Sequence, residues 1–180
     1  MKTIIFEGID KVGKTTTIKR LSKSLEDEGY KIVKLNLPFE LSKMDGELIN
    51  ARLKMSTQNI LQLNTFLNDD YVCLIDRHHL SENVFGSFFG RKHNRFLCNC
   101  IDYKMKFVNG LLVYIEPDNC LNNFNKFKKG EQLDGFNYKE YKYLYQQFNK
   151  EFDDSVMNKI KTSTSKLPLL DNRIRNWLSK

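Results

Sequence analysis

The chain has 180 residues and a formal net charge of +7. That is room for one domain with a core burying roughly 70% of the unfolded surface. No stretch approaches the 18 consecutive apolar residues of a membrane span, so no membrane partner is expected. The positive charge is mostly lysine and is scattered along the chain. This suits a general basic background or a pocket for phosphorylated ligands better than a nucleic-acid surface, and no nucleic-acid partner is expected.

The elements follow in order. The apolar run Thr3-Ile4-Ile5-Phe6 predicts a first strand, and Ile18, Leu21 and Leu25 at helical spacing predict a helix over 16–28, closed by Gly29. Residues 30–37 alternate around Ile32, Val33 and Leu35 as a second strand, ended by Pro38. Helices are expected over 42–55 and 57–67, with stripes formed by Leu48, Leu53, Ile60, Leu61, Leu63 and Leu67. The continuous apolar runs 71–75 and 111–115 have the pattern of parallel strands buried on both faces. Helices over 81–89 and 94–108 lie between them. After the second run, a helix over 119–127 gives way to a basic, glycine-ended stretch, Lys126-Phe127-Lys128-Lys129-Gly130. An aromatic-rich helix follows over 138–153, then a weak strand over 155–160 and a terminal helix over 172–179. Strands alternating with helices predict an α/β fold, with a parallel sheet flanked by helices on both faces. Ligands in such folds sit at the carboxyl ends of the strands.

Two stretches carry chemistry. Gly8 to Thr15 satisfies the spacing G-x-x-x-x-G-K-[ST], directly after a strand and before a helix, which is the P-loop arrangement. Glycines let the backbone curl around an anion, and the helix behind presents its positive end to the same place. Gly8, Lys11, Val12, Gly13, Lys14, Thr15 and Thr16 are therefore the expected nucleotide-binding residues. Lys14 would reach the outer phosphates, and the Thr15 hydroxyl would help hold Mg2+. The second stretch, Asp76-Arg77, ends the third strand. An acid there is suited to Mg2+, and an arginine can clamp a phosphate bidentately. Cys73, Cys98, Cys100 and Cys120 show neither a disulfide framework nor zinc spacing, so a reducing, cytoplasmic setting is expected. The chain opens directly on an apolar strand, and no signal peptide is expected.

The two motifs resemble those of the thymidylate kinase family, F-E-G-x-D-x-x-G-K-[ST]-T and D-R-Y-x-x-S. Here they read Phe6-Glu7-Gly8-Ile9-Asp10-Lys11-Val12-Gly13-Lys14-Thr15-Thr16 and Asp76-Arg77-His78-His79-Leu80-Ser81. The resemblance implies a P-loop nucleotide kinase fold over 1–180, with a five-stranded parallel sheet and a short lid over 126–137. It also implies ATP and Mg2+ as cofactors and transfer of the γ-phosphoryl to a deoxynucleoside monophosphate, dTMP first. Under it, Asp10 would meet the acceptor's sugar, Arg77 its phosphate, Ser81 and Phe85 the nucleoside, and Arg52 the base. Lys14, Arg77 and Lys11 would be catalytic, and Thr15 and Asp76 would hold the metal. A homodimer is implied as well, and the lysine- and asparagine-heavy composition is of the kind a virus or phage with an AT-rich genome encodes. Departures are His78 for the usual tyrosine, no arginine in Glu131-Gln132-Leu133-Asp134, and none in Leu37-Pro38-Phe39-Glu40. Two other readings stand beside this one. A deoxynucleoside kinase would need a base, a task open to Glu7, and a regulatory ATP-binding protein would have lost turnover.

Overall fold

The two apolar runs flank the first strand at the centre of a sheet in a computed structural model that describes residues 1–36, 45–130 and 137–180. The strands are β1 (Lys2–Glu7), β2 (Lys31–Asn36), β3 (Tyr71–Asp76), β4 (Leu111–Glu116) and β5 (Asn158–Ser163). They lie in the order β2-β3-β1-β4-β5, and every pairing is parallel. Successive strand side chains point to opposite faces. Ile4, Ile5, Phe6, Val72 to Ile75 and Leu111 to Ile115 are nevertheless all buried, so both faces of the central strands are covered.

The covering helices are α1 (Lys14–Asp27), α2 (Gly46–Phe66), α3 (His79–Phe88), α4 (Arg95–Phe107), α5 (Cys120–Gly130), α6 (Tyr138–Asp154) and α7 (Leu167–Leu178). Each of the longer ones buries a stripe at helical spacing: Ile18, Leu21 and Leu25 on α1, Ile101 and Met105 on α4, and Tyr141, Leu144, Phe148 and Phe152 on α6. Asn137 and Glu140 form a capping box that starts α6. The five-stranded parallel sheet with helices on both sides is the P-loop nucleotide kinase fold expected from the motifs.

The boundaries differ at four places. The helices expected over 42–55 and 57–67 are one helix, α2. The Thr57 hydroxyl turns back to donate to the carbonyl of Leu53 at 2.7 Å, so the Ser56-Thr57 pair lies inside the helix without ending it. The last strand lies later than 155–160. It is a sheet-edge strand in which buried Ile160 and Thr162 alternate with exposed Lys159 and Lys161, and it carries no continuous apolar run. The final helix starts well before residue 172, because Pro168 fits its first turn and needs no N–H there. Finally, α5 continues through Gly130 instead of dissolving at Lys126. The stretch Leu37-Pro38-Phe39-Glu40 and the acidic part of the expected lid, Glu131 to Asp134, lie outside the described residues.

The chain leaves β1 toward β3 on one side and later returns to β4 on the other. The carboxyl end of β1 is therefore the point where the strand order reverses, the crevice in which open α/β sheets bind ligands.

Candidate phosphate-binding site

The loop between β1 and α1 is shaped by three left-handed residues: Gly8 at φ 138, Lys11 at φ 63 and Gly13 at φ 90. Gly8 is required for two reasons. Its backbone angle suits only glycine, and a Cβ there would stand 2.3 Å from the carbonyl oxygen of Ile115 at the end of β4. Val12 is buried beneath the loop, where it packs rather than faces solvent. Gly13 caps α1 with no side-chain hydrogen bond, and no acid stands in the first turn. The positive end of α1 thus has no anionic side chain of its own, and Thr15 and Thr16 lie exposed on it.

Lys14 folds back into the loop. Its ammonium donates to the carbonyls of Gly8 at 2.8 Å and Ile9 at 2.9 Å. Burial pulls its pKa down to about 7. The charge of Arg77 pushes the same way, while Asp10, Asp76 and Glu7 oppose it. One residue on, the Thr15 hydroxyl donates to the Asp76 carboxylate at 2.7 Å, joining the start of α1 to the end of β3. Two hard oxygen donors so placed fit Mg2+, which takes few protein ligands and completes its shell with phosphate oxygens and water. Among the described residues no group of three or more His, Cys, Asp or Glu side chains offers a fuller metal cage.

Arg77 is the other cation of the site. Its backbone is left-handed at φ 69 and its N–H extends the sheet by donating to Phe6 at 3.0 Å. One guanidinium nitrogen donates to the Ser81 hydroxyl at 3.0 Å, another to the Asp10 carboxylate, and the group stands 5.3 Å over the ring of Phe85. Burial alone would raise the pKa of Asp10, but the charges of Arg77, Lys14 and Lys11 and the Arg77 hydrogen bond outweigh it and hold the carboxyl below its usual value. The Asp10 carbonyl accepts from Asn123 on α5 at 2.9 Å and from the Tyr141 hydroxyl on α6 at 3.4 Å.

Glu7 clamps the start of α3. It is fully buried and accepts from the backbone N–H groups of His78 at 2.8 Å and Ser81 at 3.3 Å, and from the Ser81 hydroxyl. Both its oxygens are therefore engaged with the protein.

The fold thus gathers Gly8, Asp10, Gly13, Lys14, Thr15, Asp76, Arg77, Ser81 and Phe85 at the ends of β1 and β3. Lys11 is exposed at the apex of the loop, and Arg52 and Leu48 are exposed on α2, where Leu53 faces the core. Asn123, Tyr141 and the clamping role of Glu7 are additions that the motifs did not announce. Tyr141 lay within the aromatic stripe, whose spacing signals packing and not the hydroxyl's partner.

No family model matches the chain. A curated thymidylate kinase from Caldicellulosiruptor saccharolyticus is 29% identical over 167 residues, covering 82% of this chain and 81% of the relative. Among solved structures, the YorR protein of Bacillus subtilis in complex with phosphorylated GDP aligns with a TM-score of 0.71 at 20% identity, over 98% of this chain and 95% of its own. A deoxyadenosine kinase from M. mycoides, solved with dCMP and dCDP, aligns at 0.61 with 18% identity, over 98% and 100%. The thymidylate kinase of Candida albicans aligns at 0.51 with 17% identity, over 97% and 92%. The structural likenesses bear out the fold. The curated relative bears out the resemblance to the thymidylate kinases and supports a nucleotide- or deoxynucleoside-kinase type of function.

Proposed function

From a chain similar to the thymidylate kinases, we propose an enzyme that transfers the γ-phosphoryl of ATP to a deoxynucleoside monophosphate, dTMP first among acceptors. The observation that carries this reading is the contact between Asp10 and Arg77. It joins the P-loop, which in this reading holds the triphosphate, to a guanidinium that would take a second phosphate. A second cation beside the loop suits an acceptor phosphate next to the triphosphate.

In this reading Lys14 exchanges its two carbonyl partners for the β- and γ-phosphate oxygens, and the end of α1 faces the same anion. Thr15 and Asp76 would hold Mg2+, which when bound supplies charge neutralisation at the phosphates. Arg77 is already oriented by Ser81 and Asp10, and it holds the acceptor's phosphate in line with the γ-phosphoryl. Asp10 lies beside the acceptor's sugar, Ser81 and Phe85 border its nucleoside, and Arg52 reaches toward its base. Lys11, exposed at the loop apex, supplies a further positive charge to the phosphoryl in transfer. The acceptor phosphate is ionised at neutral pH, so no strong general base is needed.

The fold likeness to a deoxyadenosine kinase keeps a second reading open, phosphorylation of a nucleoside hydroxyl. That reaction needs a base. Glu7 is a poor candidate because it is buried and both its oxygens hold α3. An ATP-coupled assay across a panel of deoxynucleosides and their monophosphates separates the readings. The expected result is ADP formation with monophosphates, fastest with dTMP. Turnover with nucleosides alone would replace this proposal with the second reading. ATP binding without transfer to any acceptor would point to a regulatory protein.

A further inference from the structure

At the start of α3, next to the residues held by Glu7, three buried side chains form a line that the motifs do not explain. The His78 and His79 rings meet through their Nδ1 atoms at 3.2 Å, and His79 Nε2 lies 3.0 Å from the Asp102 carboxylate on α4. Asp102 is in turn fixed from the other side. It accepts from the Ser155 hydroxyl at 2.7 Å and from the Val156 N–H at 2.7 Å, where α6 passes into β5. Both imidazoles are buried, with His78 at 0% and His79 at 1% exposure.

The hydrogen positions follow from the partners. Burial tends to raise the pKa of Asp102, but its hydrogen bonds to His79, Ser155 and Val156 win and keep it an acceptor. His79 must therefore carry its hydrogen on Nε2. Only one hydrogen fits between the two Nδ1 atoms, so the orientation of each ring depends on the other. His78 is the residue after Arg77, and its N–H is one of the three groups held by Glu7. The first turn of α3 is thus held by two sets of bonds, those of Glu7 and those that run from Asp102 through the two histidines.

We infer that Asp102 and His79 are positioning residues. Acting through His78, they hold Arg77 in its left-handed backbone conformation, so that its guanidinium meets the acceptor phosphate already oriented. Neither residue touches a reacting atom. An arginine at φ 69 is in a backbone region that non-glycine residues rarely adopt, and conformations of that kind persist where the surroundings over-determine them. The Glu7 clamp and the histidine line together supply that determination. The inference rests on the proposed role of Arg77 for its kinetic consequence, but not for the hydrogen-bond line itself.

The test has two arms on the full chain. The first uses protein labelled with 15N in histidine, with imidazole nitrogens assigned by long-range proton–nitrogen correlation. The expected signal is a hydrogen on His79 Nε2 that exchanges slowly with solvent in the wild type and quickly in Asp102→Asn. A His79 ring whose hydrogen sits on Nδ1 alone, or one that exchanges equally fast in both proteins, would overturn the proposal. The second arm measures kinetics of His79→Phe and Asp102→Asn. The latter can be relieved by water, because a polar cavity of about 220 Å3 borders both residues. The expected result is a KM for the monophosphate raised about tenfold or more, with ATP affinity within twofold of wild type. An unchanged acceptor KM, or an ATP affinity that falls in step, would mean the line is only structural and would overturn the inference. Should the wild type phosphorylate no monophosphate, the kinase reading fails by itself, and the labelling arm still decides whether the line exists.

Discussion

Replacing Arg77 separates the chemistry of its guanidinium from the strain of its backbone. Arg77→Ala and Arg77→Gly both remove the hydrogen bond to Ser81, the pair with Asp10 and the cation over Phe85. Both should therefore lose turnover alike, by about 10^3-fold or more if the arginine holds the acceptor phosphate in the transition state. That corresponds to roughly 4 kcal/mol of barrier. ATP affinity should stay near wild type, because Lys14, Thr15 and the end of α1 are untouched. Stability should differ between the two variants. Each leaves the Asp10 carboxylate without its closest cation, a loss of about 1–3 kcal/mol. Only the glycine also relieves the left-handed conformation at φ 69. Arg77→Gly should therefore be about 1 kcal/mol more stable than Arg77→Ala, or about 2–4 °C in a chain of this size. Steady-state turnover with dTMP and thermal unfolding of both proteins make the comparison. Wild-type-like turnover in either variant would refute the role of the guanidinium, and an alanine variant as stable as the glycine variant would refute the strain.

Other outcomes follow from the same geometry. Gly8→Ala should destabilise the protein by at least about 3 kcal/mol, read as a lowered denaturant midpoint, because the new Cβ meets the Ile115 backbone oxygen and not a movable side chain. Lys14 has its pKa lowered to about 7 in the ligand-free protein, and a bound triphosphate favours its charged form. ATP affinity should thus be level below pH 7 and fall by up to about tenfold per unit above it, with calorimetry in buffers of different ionisation heat showing proton uptake on binding. The same shift acts on folding. Between about 7 and the ordinary lysine value of 10.5 the unfolded chain binds the extra proton, so the contribution of Lys14 to stability rises with pH across that window. Thr15→Val keeps the shape of the side chain but removes the hydroxyl beside Asp76. It should raise the Mg2+ concentration for half-maximal turnover by about tenfold, and chelation of divalent cations should abolish turnover in the wild type.

Local features of the site were legible from the chain because their spacing is dictated by the ligand. Gly8, Gly13, Lys14 and Thr15 must follow one another at fixed intervals to curl around a phosphate, and Asp76-Arg77 must stand where a buried strand ends. The two central strands were equally plain, since burial on both faces leaves a continuous apolar run. The edge strand β5 was not, because only every second residue is buried and its lysines face solvent. The break expected near Ser56 was absent for a similar reason: hydroxyl residues are poor helix formers in isolation, but a buried Thr57 can bond to the preceding turn. Contacts that join distant segments leave no spacing to read. Asn123 and Tyr141 reach the Asp10 carbonyl from more than a hundred residues away in sequence. Asp102 meets His79 only because α4 packs against α3, and a histidine pair by itself signals nothing about its partner.

The two bonds to the Asp10 carbonyl have a mechanical consequence. Asn123 belongs to α5 and Tyr141 to α6, and these two helices flank the six residues from 131 to 136. Asn123 also donates to the Tyr141 hydroxyl, so the three groups form a closed triangle. α5 and α6 are thereby both bonded to one peptide of the phosphate loop. Any displacement of α5 against α6 must either break that triangle or drag Asp10 with it, and Asp10 holds Arg77. The triangle is a linkage in the engineer's sense: it makes the separation of the two helices and the posture of the acceptor's arginine a single degree of freedom.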